Sequence, residues 1–310
     1  MIVLSLFDGM SCGQLALQKA GIQVTKYYAA EIDKYAIKVA KSNFPSMCHL
    51  GDVTQWKTWD IDWSTIDLLI GGSPCQGFSF AGKQLNFDDP RSRLFFVFVD
   101  ILNNIKAQNP KVRFMLENVR MKKEYQDIIS KILGVEPVCI NSSLVSAQNR
   151  VRYYWANWDI SQPTDQHKKL ADILENGFVD REKSHCLDAN YFKGGNLKQY
   201  FEKHRRQLVF SSDNLCHVGD ADLKGHGYNR RVYHAEGKAP ALCASSGGNL
   251  EPKVFIPPSS WRKLTPRECE RLQTVPDDYT AAVSNSQRYK MLGNGWTVDV
   301  ISHIFKEGVV

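Results

Sequence analysis

The side chain with the most chemical potential is Cys75, in the run Gly71-Gly72-Ser73-Pro74-Cys75-Gln76-Gly77. A cysteine attacks as its thiolate, so its setting decides whether it reacts. It follows Ile66-Asp67-Leu68-Leu69-Ile70, an apolar run that reads as a buried strand. Two glycines and a proline after such a strand make a sharp turn with exposed backbone. Open α/β folds bind ligands at that edge. A lone cysteine is more often a small buried hydrophobe, and its neighbours turn the reading. A second strand, Val112-Arg113-Phe114-Met115-Leu116, delivers Glu117-Asn118-Val119 to the same edge. Glu117 is there either as a surface acid or as an acid with a task. A third strand, Tyr153-Tyr154-Trp155, is entered through Gln148-Asn149-Arg150-Val151-Arg152. Arginines at alternate positions of a strand point to one face; a solvent-facing basic edge is the plain alternative.

The elements that must position them alternate between strand and helix. Residues 2–7 read as a strand, followed by Asp8-Gly9-Met10-Ser11-Cys12-Gly13 and a helical pattern through Leu15, Leu17 and Ala20. Strand, glycine-bearing loop and helix open a nucleotide-type site, because glycines admit close backbone approach and the helix start offers free N–H groups. A G-x-G-x-x-G fingerprint is absent, which disfavours a dinucleotide-dependent oxidoreductase. Residues 24–30 form a second strand ending at Glu31-Ile32-Asp33, with Glu31 placed for ribose hydroxyls and Asp33 for capping a helix over 35–44. Asp52, before Val53, is a solvated loop acid or an acceptor for an adenine amino group, with Val53 on the ring. The spacing of Phe95, Phe98, Ile101, Leu102 and Ile105 predicts a helix over 94–108 with this stripe in the core. A further helix is expected over 123–133. The fold class is α/β, a Rossmann-like sheet with helices on both faces.

The periodicity breaks down over residues 161–260. Short segments rich in Gly, Asn, His and basic residues take over, such as Lys203-His204-Arg205-Arg206 and Gly227-Tyr228-Asn229-Arg230-Arg231. Such a module suits base-edge and phosphate contacts; an irregular insertion is the alternative. Regular structure returns where Thr265 caps and Pro266 starts a helix. The expected organisation is a catalytic and cofactor domain over 1–160, a smaller irregular recognition domain over 161–260, and a segment over 261–310 returning to the first. The chain has 310 residues, 43% hydrophobic and 23% charged, which suits a soluble globular protein. A net charge of +6 is compatible with a polyanionic partner. Eight cysteines without C-x-x-C spacing argue against zinc and against a disulfide framework. No signal peptide or membrane-spanning run is read, so a cytoplasmic location is expected.

In this order the motifs resemble those of the cytosine-C5 DNA methyltransferase family over nearly the whole chain. Phe7-Asp8-Gly9 with Gly13 is similar to its first motif, and Glu31 and Asp52 match its cofactor acids. Gly72-Ser73-Pro74-Cys75-Gln76 matches the nucleophile motif, Glu117-Asn118-Val119 the acidic motif, and Gln148, Arg150 and Arg152 the arginine motif. Arg267-Glu268, Arg271-Leu272-Gln273 and Gly293-Asn294-Gly295 resemble the last two. Trp296 stands where an aliphatic residue is common. Ser73-Pro74, in place of Pro-Pro, favours DNA over tRNA.

The resemblance implies methyl transfer from S-adenosylmethionine to C5 of a flipped cytosine in duplex DNA, through a Cys75 adduct at C6, with S-adenosylhomocysteine as product. It implies Glu117, Arg150 and Arg152 as further catalytic residues, with Arg150 supporting Arg152 or holding a phosphate. The cofactor would meet Phe7, Asp8, Gly9, Ser11, Cys12, Gly13, Glu31, Ile32, Asp52, Val53, Ser73, Pro74, Asn294 and Trp296. DNA would meet Gln76, Ser79, Arg91, Arg93, Gln148, Arg230 and Arg231, with the loop from Gln76 to Arg93 closing over the base. No metal is required, a monomer is expected, and a companion restriction endonuclease is compatible with the motifs. RNA methylation by the same machinery and a DNA-binding protein without catalysis are the competing readings.

Overall fold

A computed structural model describes residues 1–73, 90–210, 217–220, 231–234, 253–255 and 261–309. At its centre is a seven-stranded sheet ordered β3-β2-β1-β4-β5-β7-β6. The strands are β1 (Ile2–Leu6), β2 (Lys26–Ala30), β3 (Cys48–Gly51), β4 (Leu68–Gly71), β5 (Arg113–Val119), β6 (Pro137–Asn141) and β7 (Val151–Ala156). The first five are mutually parallel. Strand β7 runs antiparallel to both β5 and β6. The order reverses between β1 and β4, which makes a crevice at their carboxyl ends. Because β7 is antiparallel, its beginning lies at that same edge, and Arg152 pairs with Val119. The sequence pattern did not reveal β6 or this reversal.

Alternation along the strands feeds two cores. Val3, Ile70 and Met115 face one side, against Ala16 and Leu17 of α1 (Cys12–Lys19) and Ile301, Ile304 and Phe305 of a C-terminal helix, Val298–Gly308. Leu4, Leu69 and Leu116 face the other, against α3 (Pro90–Gln108) and α4 (Lys123–Leu133). The stripe expected on α3 is in place, with Phe95, Phe98, Ile101, Leu102 and Ile105 at most 1% exposed. Helix α2 (Lys34–Asn43) starts where the Asp33 carboxylate accepts from the Tyr35 N–H at 2.9 Å. Thr265 and Glu268 form a reciprocal cap on the helix Pro266–Leu272.

The expected boundary at residue 161 does not coincide with the edge of the core. Leu170, Ile173, Leu187 and Tyr191 are buried in the same cluster as the C-terminal helix. A separate small cluster forms beyond them, from Tyr200, Leu208 and Phe210. Strand Leu208–Phe210 pairs antiparallel with Trp261–Lys263, so the chain re-enters beside the point where it left. Strands His217–Asp220, Arg231–His234 and Lys253–Phe255 make a second small sheet.

Candidate active site

The loop after β1 is tightly wound. Phe7, Gly9 and Ser11 have φ of 58°, 61° and 62°, the left-handed region that non-glycine residues rarely enter. Backbone bonds hold it there: Asp8 N–H donates to the Ala30 carbonyl at 3.1 Å, and Gly9 N–H donates to Glu31 Oε2 at 2.8 Å. Glu31 Oε1 also accepts from the N–H groups of Ile32 and Asp33, at 2.7 and 2.8 Å. Glu31 thus ties the end of β2 to the turn after β1. The Asp8 carboxylate accepts from the Tyr27 hydroxyl at 2.7 Å and from the Ser11 hydroxyl. Burial nonetheless pushes its pKa up to about 6, with the charge of Glu31 adding to the rise. Gly13 starts α1 against the sheet; a Cβ there would lie 2.5 Å from Ile70 Cδ1 and 2.9 Å from Tyr27 Oη.

Glu117 occupies the floor of the crevice and is 8% exposed. Its two oxygens have different partners. Arg152 Nε reaches Oε1 at 3.0 Å, across the antiparallel pair from the next strand. The indole Nε1–H of Trp296 donates to Oε2 at 3.1 Å.

Arg150 and Gln148 do something different from what the sequence suggested. Arg150 is 3% exposed, and its guanidinium donates to the carbonyls of Leu187 (2.9 Å), Gly293 (3.1 Å) and Gly295 (2.8 Å). Its donors are spent on backbone, which corrects the expectation of a phosphate contact. Burial, with the nearby charge of Arg152, pulls its pKa below the ordinary guanidinium value. Gln148, expected on DNA, is fully buried and donates to the Leu272 carbonyl at 2.7 Å and to Gln273 Oε1 at 3.0 Å. Gln273 in turn donates to the Leu292 carbonyl at 2.6 Å and accepts from the Thr297 hydroxyl at 2.9 Å. These side chains clasp the 293–297 turn onto the body.

The resulting cleft has a volume of about 850 Å³. Of the residues singled out in the sequence, Phe7, Asp8, Gly9, Cys12, Glu31, Ile32, Ser73, Glu117, Arg150, Arg152, Asn294 and Trp296 line it together. Ser11 and Gly13 stand behind its wall. Asp52 and Val53 fall outside the lining, one strand further out. The Asp52 carboxylate caps the turn of Thr54 through Oδ1 at 2.8 Å, and Val53 is buried. The Cys12 thiol is pushed up to about 12 by burial, so it is neutral and unreactive. Arg93 is exposed and does not line the cleft. Pro74, Cys75, Gln76, Ser79 and Arg230 lie outside the described residues; Arg91 and Arg231 are placed as backbone within a helix and a strand. The sequence reading missed Asn118, Lys290 and Met291 as lining. Lys290, whose ammonium sits 2.8 Å from Asp33, comes from a helix (Asn285–Asn294) whose packing no local pattern announces. Among the described residues, Ser73 Oγ and Asn118 Nδ2 are buried in this lining with no hydrogen-bond partner.

The model of the family C-5 cytosine-specific DNA methylase matches residues 1–133 and 138–309. The Type II methyltransferase M.NgoBI of Neisseria gonorrhoeae is 30% identical over 315 residues, spanning 96% of this chain and 90% of that protein. The Type II methyltransferase M.HhaI of Haemophilus parahaemolyticus is 29% identical over 332 residues, spanning 97% and 92%. The solved structure of the Entamoeba histolytica methyltransferase EhMeth has a TM-score of 0.65 over 99% of this chain and 97% of that one. At 14% identity that likeness speaks for the fold.

Proposed function

The chain belongs to the C-5 cytosine-specific DNA methylase family and is a DNA cytosine methyltransferase; from that premise we propose that it methylates C5 of a flipped cytosine in duplex DNA through a covalent adduct of Cys75. The observation that carries the reading is Glu117, fixed between Arg152 and Trp296 on the floor of the cleft, beside the strand end that leads to Cys75.

The cleft fits S-adenosylmethionine. Its volume lies in the range for a ligand of that size. Among the described residues, Ser73 Oγ and Asn118 Nδ2 are buried polar groups of its lining with no hydrogen-bond partner. Asp8 and Glu31 make one side negative, which suits a sulfonium cation. Phe7 and Ile32, the latter 73% exposed, offer apolar surface to an adenine ring. Glu31 would hold the ribose, and Ser73, Asn118 and Asn294 the amino-acid end. When bound, S-adenosylmethionine supplies an electrophilic methyl group for C5 and leaves as S-adenosylhomocysteine.

Cytosine C5 is a weak nucleophile in the aromatic ring. Addition of the Cys75 thiolate at C6 pushes the ring electrons toward C5 and N3 and makes C5 enamine-like. Glu117, carrying a proton, would donate it to N3, where the negative charge develops, and accept from the N4 amino group. Arg152, already on Glu117, faces the O2 side. Once C5 carries the methyl, a base removes the C5 proton, the C5–C6 double bond re-forms and the thiolate leaves. A stacked base cannot reach these groups, so the cytosine is extruded at a cost of a few kcal/mol, offset by pocket contacts. Double-stranded DNA is the partner, read by residues 161–260. The protein acts as a cytoplasmic monomer of bacterial or phage type, compatible with a companion endonuclease.

The test is incubation with unmethylated genomic DNA and S-adenosylmethionine, then nucleoside mass spectrometry. 5-Methyldeoxycytidine is expected with the wild type and not with Cys75→Ser. DNA binding without product from the wild type would overturn the reading.

A further inference from the structure

Trp296 stands in two places at once: it lines the cofactor cleft, and its indole N–H is bonded to the acid that would meet the cytosine. Resting on the function proposed above, we infer that Trp296 is a positioning residue, holding Oε2 of Glu117 so that the carboxylate presents one orientation to the base. Arg152 alone fixes Oε1, through a single Nε contact. One anchored oxygen leaves the carboxyl free to turn about its terminal bond, a broad and soft torsion. The indole fixes the second oxygen. Each oxygen has two lone-pair positions, so each keeps one beyond its anchor: one to accept from the N4 amino group, the other to carry the proton that Glu117 would donate to N3. Orientation of this kind is worth orders of magnitude to a reaction.

The surroundings are built around this bond. A Cβ on Gly72 would lie 3.0 Å from both Glu117 Oε2 and Trp296 Nε1. A side chain there would wedge the pair apart. Arg150 and Gln273 hold the carbonyl of Gly295, immediately before Trp296, at 2.8 and 3.2 Å, so the indole enters from a fixed turn. The aliphatic residue common at this place in the resembling motif has no N–H to give. In this chain the wall of the cofactor cleft and the cytosine-recognising acid are therefore one hydrogen-bonded unit.

The experiment pairs NMR of the indole N–H groups with kinetics. The protein has seven tryptophans, and the resonance missing from Trp296→Phe identifies Trp296. That resonance is expected to shift in Glu117→Gln, where the acceptor loses its charge; an unmoved resonance would overturn the inference without reference to catalysis. In Trp296→Phe, which keeps a ring against the cofactor, kcat is expected to fall about tenfold. S-adenosylmethionine affinity by calorimetry should stay within about twofold. Unchanged kcat with weakened cofactor binding would make Trp296 a wall alone, and overturn it. A wild type that makes no 5-methylcytosine would defeat the proposed function, while the indole resonance would still decide the bond.

Discussion

The cleft has two walls made in different ways. The first is the edge of the sheet: the 7–13 turn, Glu31 and the end of β4. Its decisive bond, from Gly9 to Glu31, spans 22 residues. The second is the 293–297 turn with Trp296. It is held by Gln148 and Arg150 through bonds that span 124 to 145 residues. The first wall is made of backbone conformation, left-handed residues and N–H groups aimed at a carboxylate. The second is made of buried side chains that satisfy carbonyls of a distant segment. The first can form with the sheet; the second closes only after the whole chain has returned.

Breaking the second wall should cost most. Arg150→Ala takes the guanidinium away from the carbonyls of Leu187, Gly293 and Gly295, of which Gly295 keeps only its longer bond from Gln273, and leaves a void in its place. A loss of about 4 kcal/mol is expected, read by urea unfolding. Arg150→Lys should recover part of it, since one ammonium cannot serve three carbonyls in a planar fork.

The first wall carries a pH signature that the second lacks. Asp8 has an ordinary pKa of 3.8, raised to about 6 in the fold. The native state therefore binds the extra proton between these values, and stability falls as pH rises through that window. Full ionisation by pH 7 costs about 3 kcal/mol. Asp8→Asn, which keeps an oxygen for Tyr27, should flatten the stability profile between about pH 4 and pH 6. An unchanged slope would show that another group governs that range.

A smaller effect sharpens the same wall. Gly13→Ala places a methyl into Ile70 and Tyr27 and should cost about 2 kcal/mol by thermal unfolding. Gly9→Ala, where open space surrounds the site but φ is 61°, should cost about 1 kcal/mol, through backbone strain alone.

This difference also explains what the sequence made legible. Glu31, Asp33 and the Phe95–Ile105 stripe sit at strand ends, a cap and a helical period, features that local pattern encodes. Glu117 was visible because it comes directly after a buried apolar run, although the strand itself continues through it to Val119. The burial of Gln148 and Arg150 was not visible, because two polar residues before a strand look alike whether they face solvent or a distant turn. The antiparallel setting of β7 follows from pairing with β6, which lacks a distinctive alternation. Asp52 was placed by motif; the structure sets it just after the outermost strand, β3, where its carboxylate caps the turn that follows.

The most direct measurement uses a duplex carrying 5-fluorocytosine in place of the target cytosine, with S-adenosylmethionine. Fluorine cannot leave C5 as a proton does, so the enzyme cannot eliminate and the thiol remains bonded to C6. A denaturation-resistant protein–DNA adduct, mapped by peptide mass spectrometry to Cys75 and absent in Cys75→Ser, is the expected result. Methylation of ordinary duplex without any adduct on the fluorinated one, or an adduct on another cysteine, would contradict the mechanism.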